Sequence, residues 1–134
     1  MYNHILIPVA PGHQGEYAEA LAKARKLASP GGKISVLAVI EEMPSYIGTY
    51  VAPYDIDKNV TDILSDLKTE FRDEGVTCNV ISGHPANSIL DWAGANDVDC
   101  IVVSSHRPGL SDYFIGSTAA RIVRHARCSV HVLR

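Results

Sequence analysis

With 134 residues, 46% of them hydrophobic and 20% charged, the chain has the length and composition of one globular domain whose core needs no covalent staples. Those proportions argue against a disordered chain, and a net charge of -3 with His neutral gives no reason to expect a nucleic-acid partner. No apolar run reaches the length of a membrane span, and the opening Met1-Tyr-Asn-His4 lacks the basic region of a signal peptide, so no membrane partner is expected and the expected location is cytoplasmic.

Ile5-Leu-Ile-Pro-Val9 reads as a first strand, apolar on both faces as a central parallel strand is. Pro8 cannot donate to a ladder and is expected near the strand's end. After a loop over 10–15, Tyr17, Leu21, Ala24 and Ala28 recur at helical spacing, and Pro30-Gly-Gly32 is expected to stop that helix. Ile34 to Ile40 is the second strand. Residues 41–55 form a long loop with Pro44, Gly48, Pro53 and three tyrosines, Tyr46, Tyr50 and Tyr54, of the length that lids and binding loops have. Val60, Ile63, Leu64, Leu67 and Phe71 mark the clearest amphipathic helix. Asp57, Asp62, Asp66, Glu70 and Asp73 form its wet face, and Gly75 ends it. A third strand over Val76 to Ile81 leads to a helix opened by Pro85, whose missing N–H is not needed in a first turn. Asp99 to Val103 is the fourth strand, Ile115 to His125 the last helix, and Ser129 to Leu133 the last strand. This alternation predicts an α/β fold: a single-domain, open, mostly parallel five-stranded sheet with helices on both faces.

In such sheets ligands bind outside the C-terminal ends of the strands. Three loops converge there: Pro8 to His13, Ile40 to Pro44, and Ser104 to Gly109. The most informative stretch is Ile101-Val-Val-Ser-Ser-His-Arg-Pro-Gly109 followed by Gly116-Ser-Thr118. An apolar run gives way to a polar loop, and a glycine with two hydroxyl residues opens a helix. Free N–H groups at a helix start attract phosphate, Ser117 and Thr118 add hydroxyl donors, and Arg107 offers a charge-assisted fork. The same residues also fit a plainer role, with Gly116 permitting close packing and Ser117 as the helix N-cap, and both readings stay open.

His106 has no sequence-adjacent carboxylate to orient it and reads more readily as a loop histidine than as a catalytic one. His13, His84 and His125 fall on different elements and make no metal set. His125, near a helix C-terminus, favours the dipole end, and Arg121 and Arg124 read as solvated residues of the same helix. Cys78, Cys100 and Cys128 lack CxxC or zinc spacing and read as small buried thiols of a reducing compartment. Neither a GxSxG elbow nor a GxxxxGKS/T loop occurs, and no general base is evident, so binding without fast turnover fits better than catalysis.

Almost the whole chain resembles the universal stress protein family, and closely its small single-domain enterobacterial type. The resemblance rests on Ile5-Leu-Ile-Pro-Val9, on Gly83-His-Pro-Ala-Asn-Ser-Ile-Leu90, and above all on Ser105-His-Arg-Pro108, Tyr113-Phe-Ile-Gly-Ser117 and Val123-Arg-His-Ala-Arg-Cys-Ser-Val130. It implies one domain over 1–134, a fold related to the adenine nucleotide alpha hydrolases, and a homodimer in which the last strand, 129–133, pairs with its copy. It also implies ATP, or ADP or AMP, as ligand, with Mg or Mn alongside.

ATP-binding members carry G-x2-G-x9-G-S/T. Here Ser104 stands at the first glycine, Arg107 near the second, and the spacing to Gly116 is one residue short; Gly116 and Ser117 match the closing pair and Thr118 follows. Ala10 replaces the family's nucleotide-holding aspartate. Pro8, Val9 and Val39 fall on the adenine side, Val103 precedes the phosphate loop, and Gly109 lies within it. The resemblance thus implies a stress-response protein that binds an adenine nucleotide and hydrolyses it slowly at most. Two other classes remain: a protein-interaction or signalling module built on loop 41–55, and a slow ATPase or phosphate-transfer enzyme.

Overall fold

Strands that are apolar on both faces can be buried only as the middle layer of a sandwich, and helices with one apolar stripe supply the outer layers. The computed structural model describes residues 1–10, 17–41, 53–72, 75–105 and 116–134, and shows that arrangement. Five strands, β1 (Tyr2–Val9), β2 (Ala28–Ile40), β3 (Thr77–Ser82), β4 (Cys100–Ser104) and β5 (Ser129–Leu133), form one sheet in the order β3-β2-β1-β4-β5. Every neighbouring pair is parallel. The helices are α1 (Ala18–Leu27), α2 (Pro53–Glu70), α3 (Pro85–Ala95) and α4 (Ser117–His125).

Alternation along the central strand divides the core in two. Ile5, Ile7 and Val9 point to the face covered by α1 and α2, where Leu21, Ala24, Leu67 and Phe71 pack on them with Val36, Ala38 and Val102. Leu6, Leu37, Val39, Ile101 and Val103 point to the other face, under Ala86, Ile89 and Ala93 of α3 and Ala119 and Ile122 of α4. Ile5, Leu6, Leu37, Ile101 and Ile122 are fully buried, each contributing about 1.5–3 kcal/mol of transfer free energy. Asp62, Asp66 and Glu70 are exposed, as expected of the wet face of α2. No described helix is long and apolar enough to cross a membrane.

Several boundaries differ from expectation. The first helix stops at Leu27, and Ala28 opens β2 opposite Tyr2 instead of closing the helix. Pro30-Gly-Gly32 therefore does not separate a helix from a strand. It loops out of β2 between the pairs Tyr2–Ala28 and His4–Lys33. A side chain at Gly32 would sit 2.9 Å from the carbonyl oxygens of Ser29 and Tyr2, so this excursion requires glycine. The loop expected over 41–55 ends earlier, because α2 begins at Pro53; residues 42–52 lie outside the described ones. α2 itself stops at Glu70, before Gly75, and Phe71 N–H closes its last turn on Leu67 O at 2.9 Å. β3 and β4 each start and end one residue later than expected.

The N-terminal edge of the sheet is closed by side chains. His4, only 7% exposed, donates from Nδ1 to Asn96 O at 2.8 Å, because a carbonyl can only accept. Nε2 lies 2.7 Å from the Ser35 hydroxyl, and Ser35 Oγ lies 2.8 Å from Thr77 Oγ1. Asp99 accepts the backbone N–H of Asn3 at 2.8 Å and of His4 at 3.0 Å. Burial raises the Asp99 carboxyl, but these two donors and its own N–H, with His4 adding, outweigh it and hold the group below its ordinary value.

Candidate ligand-binding crevice

At the opposite edge the sheet opens. β1 and β4 are the strands between which the chain's winding reverses, the place where doubly wound sheets leave a crevice. Their pairing runs only through Ile5–Cys100 and Leu6–Ile101, although β1 continues to Val9 and β4 to Ser104. Pro8, which has no N–H to offer, falls in this unpaired stretch while remaining in register with Leu37 of β2. Beyond these pairs the strand ends carry Val39 and Val103 on the face under α3 and α4 and Val9 on the other, each 5–7% exposed, with Ala10 and Ser104 exposed at the rim.

The next residue turns inward. Ser105 is 5% exposed, and both its N–H and its hydroxyl donate to Leu133 O, each at 2.9 Å, fastening the end of β4 to that of β5. Its carbonyl accepts the N–H of Gly116 at 3.1 Å, which draws the start of α4 against the end of β4. Gly116 is the N-cap residue and Ser117 the first residue of the helix, so the reading of Ser117 as N-cap is corrected: its hydroxyl makes no cap bond, and Gly116 O instead accepts Ala120 N–H at 2.8 Å. Nor does packing demand glycine at 116. A Cβ there would meet only Ser105 O at 3.7 Å, an ordinary contact, with φ at -60°.

Pro8, Val9, Ala10, Val39, Val103, Ser104, Gly116, Ser117 and Thr118 are thus gathered at the C-terminal ends of β1, β2 and β4 and the start of α4. Arg107 and Gly109 lie outside the described residues, as do His13, His106 and most of loop 41–55. Tyr17 was not anticipated from the sequence. Its hydroxyl accepts Ala10 N–H at 3.0 Å and so ties the residue after β1 to the start of α1. An aromatic at the first position of a helical pattern was the available signal, but it reads equally as core.

Beside the crevice a cavity of about 720 Å3 lies between the start of α3 and α4. Glu41, Gly83, His84 and Pro85 line one side, and Ser117, Thr118, Arg121, Arg124 and His125 the other. Ser117 and Thr118 are the residues it shares with the crevice. Gly83 turns the chain from β3 into α3 with φ +146°, donating its N–H to Ile40 O at 2.9 Å, and His84 caps α3 by accepting Asn87 N–H at Nδ1. Among the described residues no group of three His, Cys, Asp or Glu is placed to hold a metal ion. The three cysteines are free and sit on or beside strands. Burial, with Cys128 and Asp99 nearby, pushes the Cys100 thiol up to about 11, so it stays protonated near neutrality.

These features define a doubly wound, parallel α/β domain with a crevice at its topological switch point. The profile of the universal stress protein family matches residues 1–134, and the chain belongs to that family. A universal stress protein of Methanothermobacter thermautotrophicus is 24% identical over 151 residues, covering all of this chain and 97% of its own. Among solved structures, a universal stress protein in complex with cAMP aligns with a TM-score of 0.70 at 13% identity, over 99% of this chain and 97% of its own. A universal stress protein family member of Arabidopsis thaliana with AMP bound aligns with a TM-score of 0.61 at 20% identity, over 98% and 90% of the two chains.

Proposed function

We propose that this universal stress protein binds an adenine nucleotide, ATP foremost, in the crevice between the ends of β1 and β4, as part of a stress response. The observation that carries the reading is the parting of β1 from β4 beyond Leu6 and Ile101, with α4 held over the gap by the bond from Gly116 N–H to Ser105 O. The apolar strand ends at Val9, Val39 and Val103 suit the edges of a planar base, and the start of α4 suits a phosphate. Relatives of the same fold with cAMP and AMP bound support the ligand class. Any Mg or Mn would ride on the phosphates, since the described residues offer no carboxylate cluster to hold it.

Calorimetric titration of nucleotide-stripped protein with ATP, ADP and AMP is the direct test; absence of binding by all three at millimolar ligand overturns the proposal. Arg107→Ala should weaken ATP more than adenosine, and equal losses would remove Arg107 from the phosphate end. The sequence offers no evident general base, so we expect ATP turnover no higher than the buffer control with Mg or Mn.

The homodimer is proposed through β5. Among the described residues that strand pairs on one side only, with β4, and its other edge presents a row of backbone donors and acceptors. Val132→Pro should therefore shift the sedimenting species to a monomer, and an unchanged dimer would reject this edge. The small single-domain enterobacterial type is the finer family assignment we put forward, on the stretch from Ser105 to Val130.

A further inference from the structure

The cavity beside the crevice has a one-sided charge. Among the described lining residues, Arg121 and Arg124 of α4 stand against one carboxylate, Glu41, with His84 at the start of α3 as a further hydrogen-bonding group. Ser117, Arg121 and Arg124 stand at i, i+4 and i+7, on one face of α4, with the two arginines about 6 and 10 Å along the axis from Ser117. The Cα–Cβ bonds of a helix tilt toward its N-terminus, so side chains at 121 and 124 start out on the Ser117 side of their own Cα atoms. The opposite face of α4, Ala119 and Ile122, is buried on the sheet, so core packing does not place the arginines. Arg124 lies in the last turn and also complements the dipole there; Arg121, a turn earlier, has no such reason to be cationic. Across the cavity, His84 accepts Asn87 N–H at Nδ1, which leaves the other ring nitrogen of the neutral imidazole carrying a proton to donate.

Two planar forks a helical turn apart match a ligand whose anionic groups repeat along a line. We propose that the α3–α4 cavity holds a phosphate chain: a nucleotide seated in the crevice runs its outer phosphates past Ser117 onto Arg121 and Arg124. The protein then selects nucleotides with three or more phosphates over AMP and cyclic forms. The adenine end of this inference rests on the proposed function; the anion end does not.

Inorganic triphosphate and adenosine, titrated separately into the full chain, test the two ends independently. The wild-type protein should bind triphosphate with an affinity that falls as NaCl rises. The double variant Arg121→Gln/Arg124→Gln should lose about tenfold or more toward triphosphate and ATP, about twofold or less toward AMP, and nothing toward adenosine. Its unliganded Tm should match the wild type. If that variant does not fold, Arg121→Lys/Arg124→Lys, which keeps charge but loses the fork, should show the same order of losses, each smaller. Triphosphate that fails to bind the wild-type protein at millimolar concentration, or binds either variant equally well, overturns the inference. Triphosphate binding without adenosine binding would end the adenine reading and leave the phosphate cavity standing; adenosine binding without triphosphate binding would do the reverse.

Discussion

The two edges of the sheet use the same residue types to opposite ends. At the N-terminal edge, His4, Ser35, Thr77 and Asp99 find their partners within the chain, and the imidazole is nearly sealed from solvent. At the C-terminal edge, Ser104, Ser117, Arg121 and Arg124 are exposed, and Ser117 makes no cap bond although it opens a helix. A polar group whose bonds are satisfied by the fold contributes to stability; one left facing a crevice is available to a ligand. The contrast teaches that a histidine or serine near a strand end is assigned by where its partners are.

The sharpest attempt to break this contrast is His4→Ala. It opens a cavity and removes the side-chain partner of Asn96 O and one of the two partners of Ser35 Oγ, and should cost about 2–4 kcal/mol in urea denaturation while leaving ATP affinity unchanged. A loss of affinity without loss of stability would reverse the roles of the two edges. Gly83→Ala tests the exception, a structural demand at the ligand edge. Its φ of +146° and a Cβ placed 2.5 Å from Ser88 Oγ should destabilise by about 1–3 kcal/mol. The Asp99 latch predicts a pH signature. Its folded carboxyl is held below the ordinary 3.8, so its stabilisation is present above that value and is lost as pH falls through the lowered one. Asp99→Asn should flatten this acid limb and cost about 1 kcal/mol at neutral pH, small because the group is partly open to water. The smallest stability effect belongs to Ser117→Ala, within about 0.5 kcal/mol, accompanied by a several-fold loss of ATP affinity; unchanged affinity would take Ser117 out of the site.

Strand and helix order was legible because the periods are clean. Ile34 to Ile40 is apolar at all but Ser35, and Leu64, Leu67 and Phe71 return every three or four residues. The end of α1 was misread because Pro30-Gly-Gly32 is the same signal whether it ends a helix or loops out of a ladder. Only the pairing of Ala28 with Tyr2 separates the two. The crevice residues were found from the family pattern at Gly116-Ser117 and from the rule for strand ends. Arg121 and Arg124 read as solvated and are exposed; that they line a cavity opposite the start of α3 was not legible, since a charged residue on a helix carries no mark of what faces it.

The amino-acid sequence by itself determined the layers: which strands are buried on both faces, and which helix stripes cover them. Those follow from local periodicity and from the handedness of parallel crossovers, both properties of short stretches of chain. The tertiary structure decided the rest. It parted β1 from β4 beyond Leu6, spent Ser105 on Leu133 while leaving Ser117 without a cap bond, buried His4 against Ser35, and set the arginines of α4 opposite the start of α3. Each of these joins residues far apart in the chain, and the geometry of such pairs is set by packing across the whole sheet.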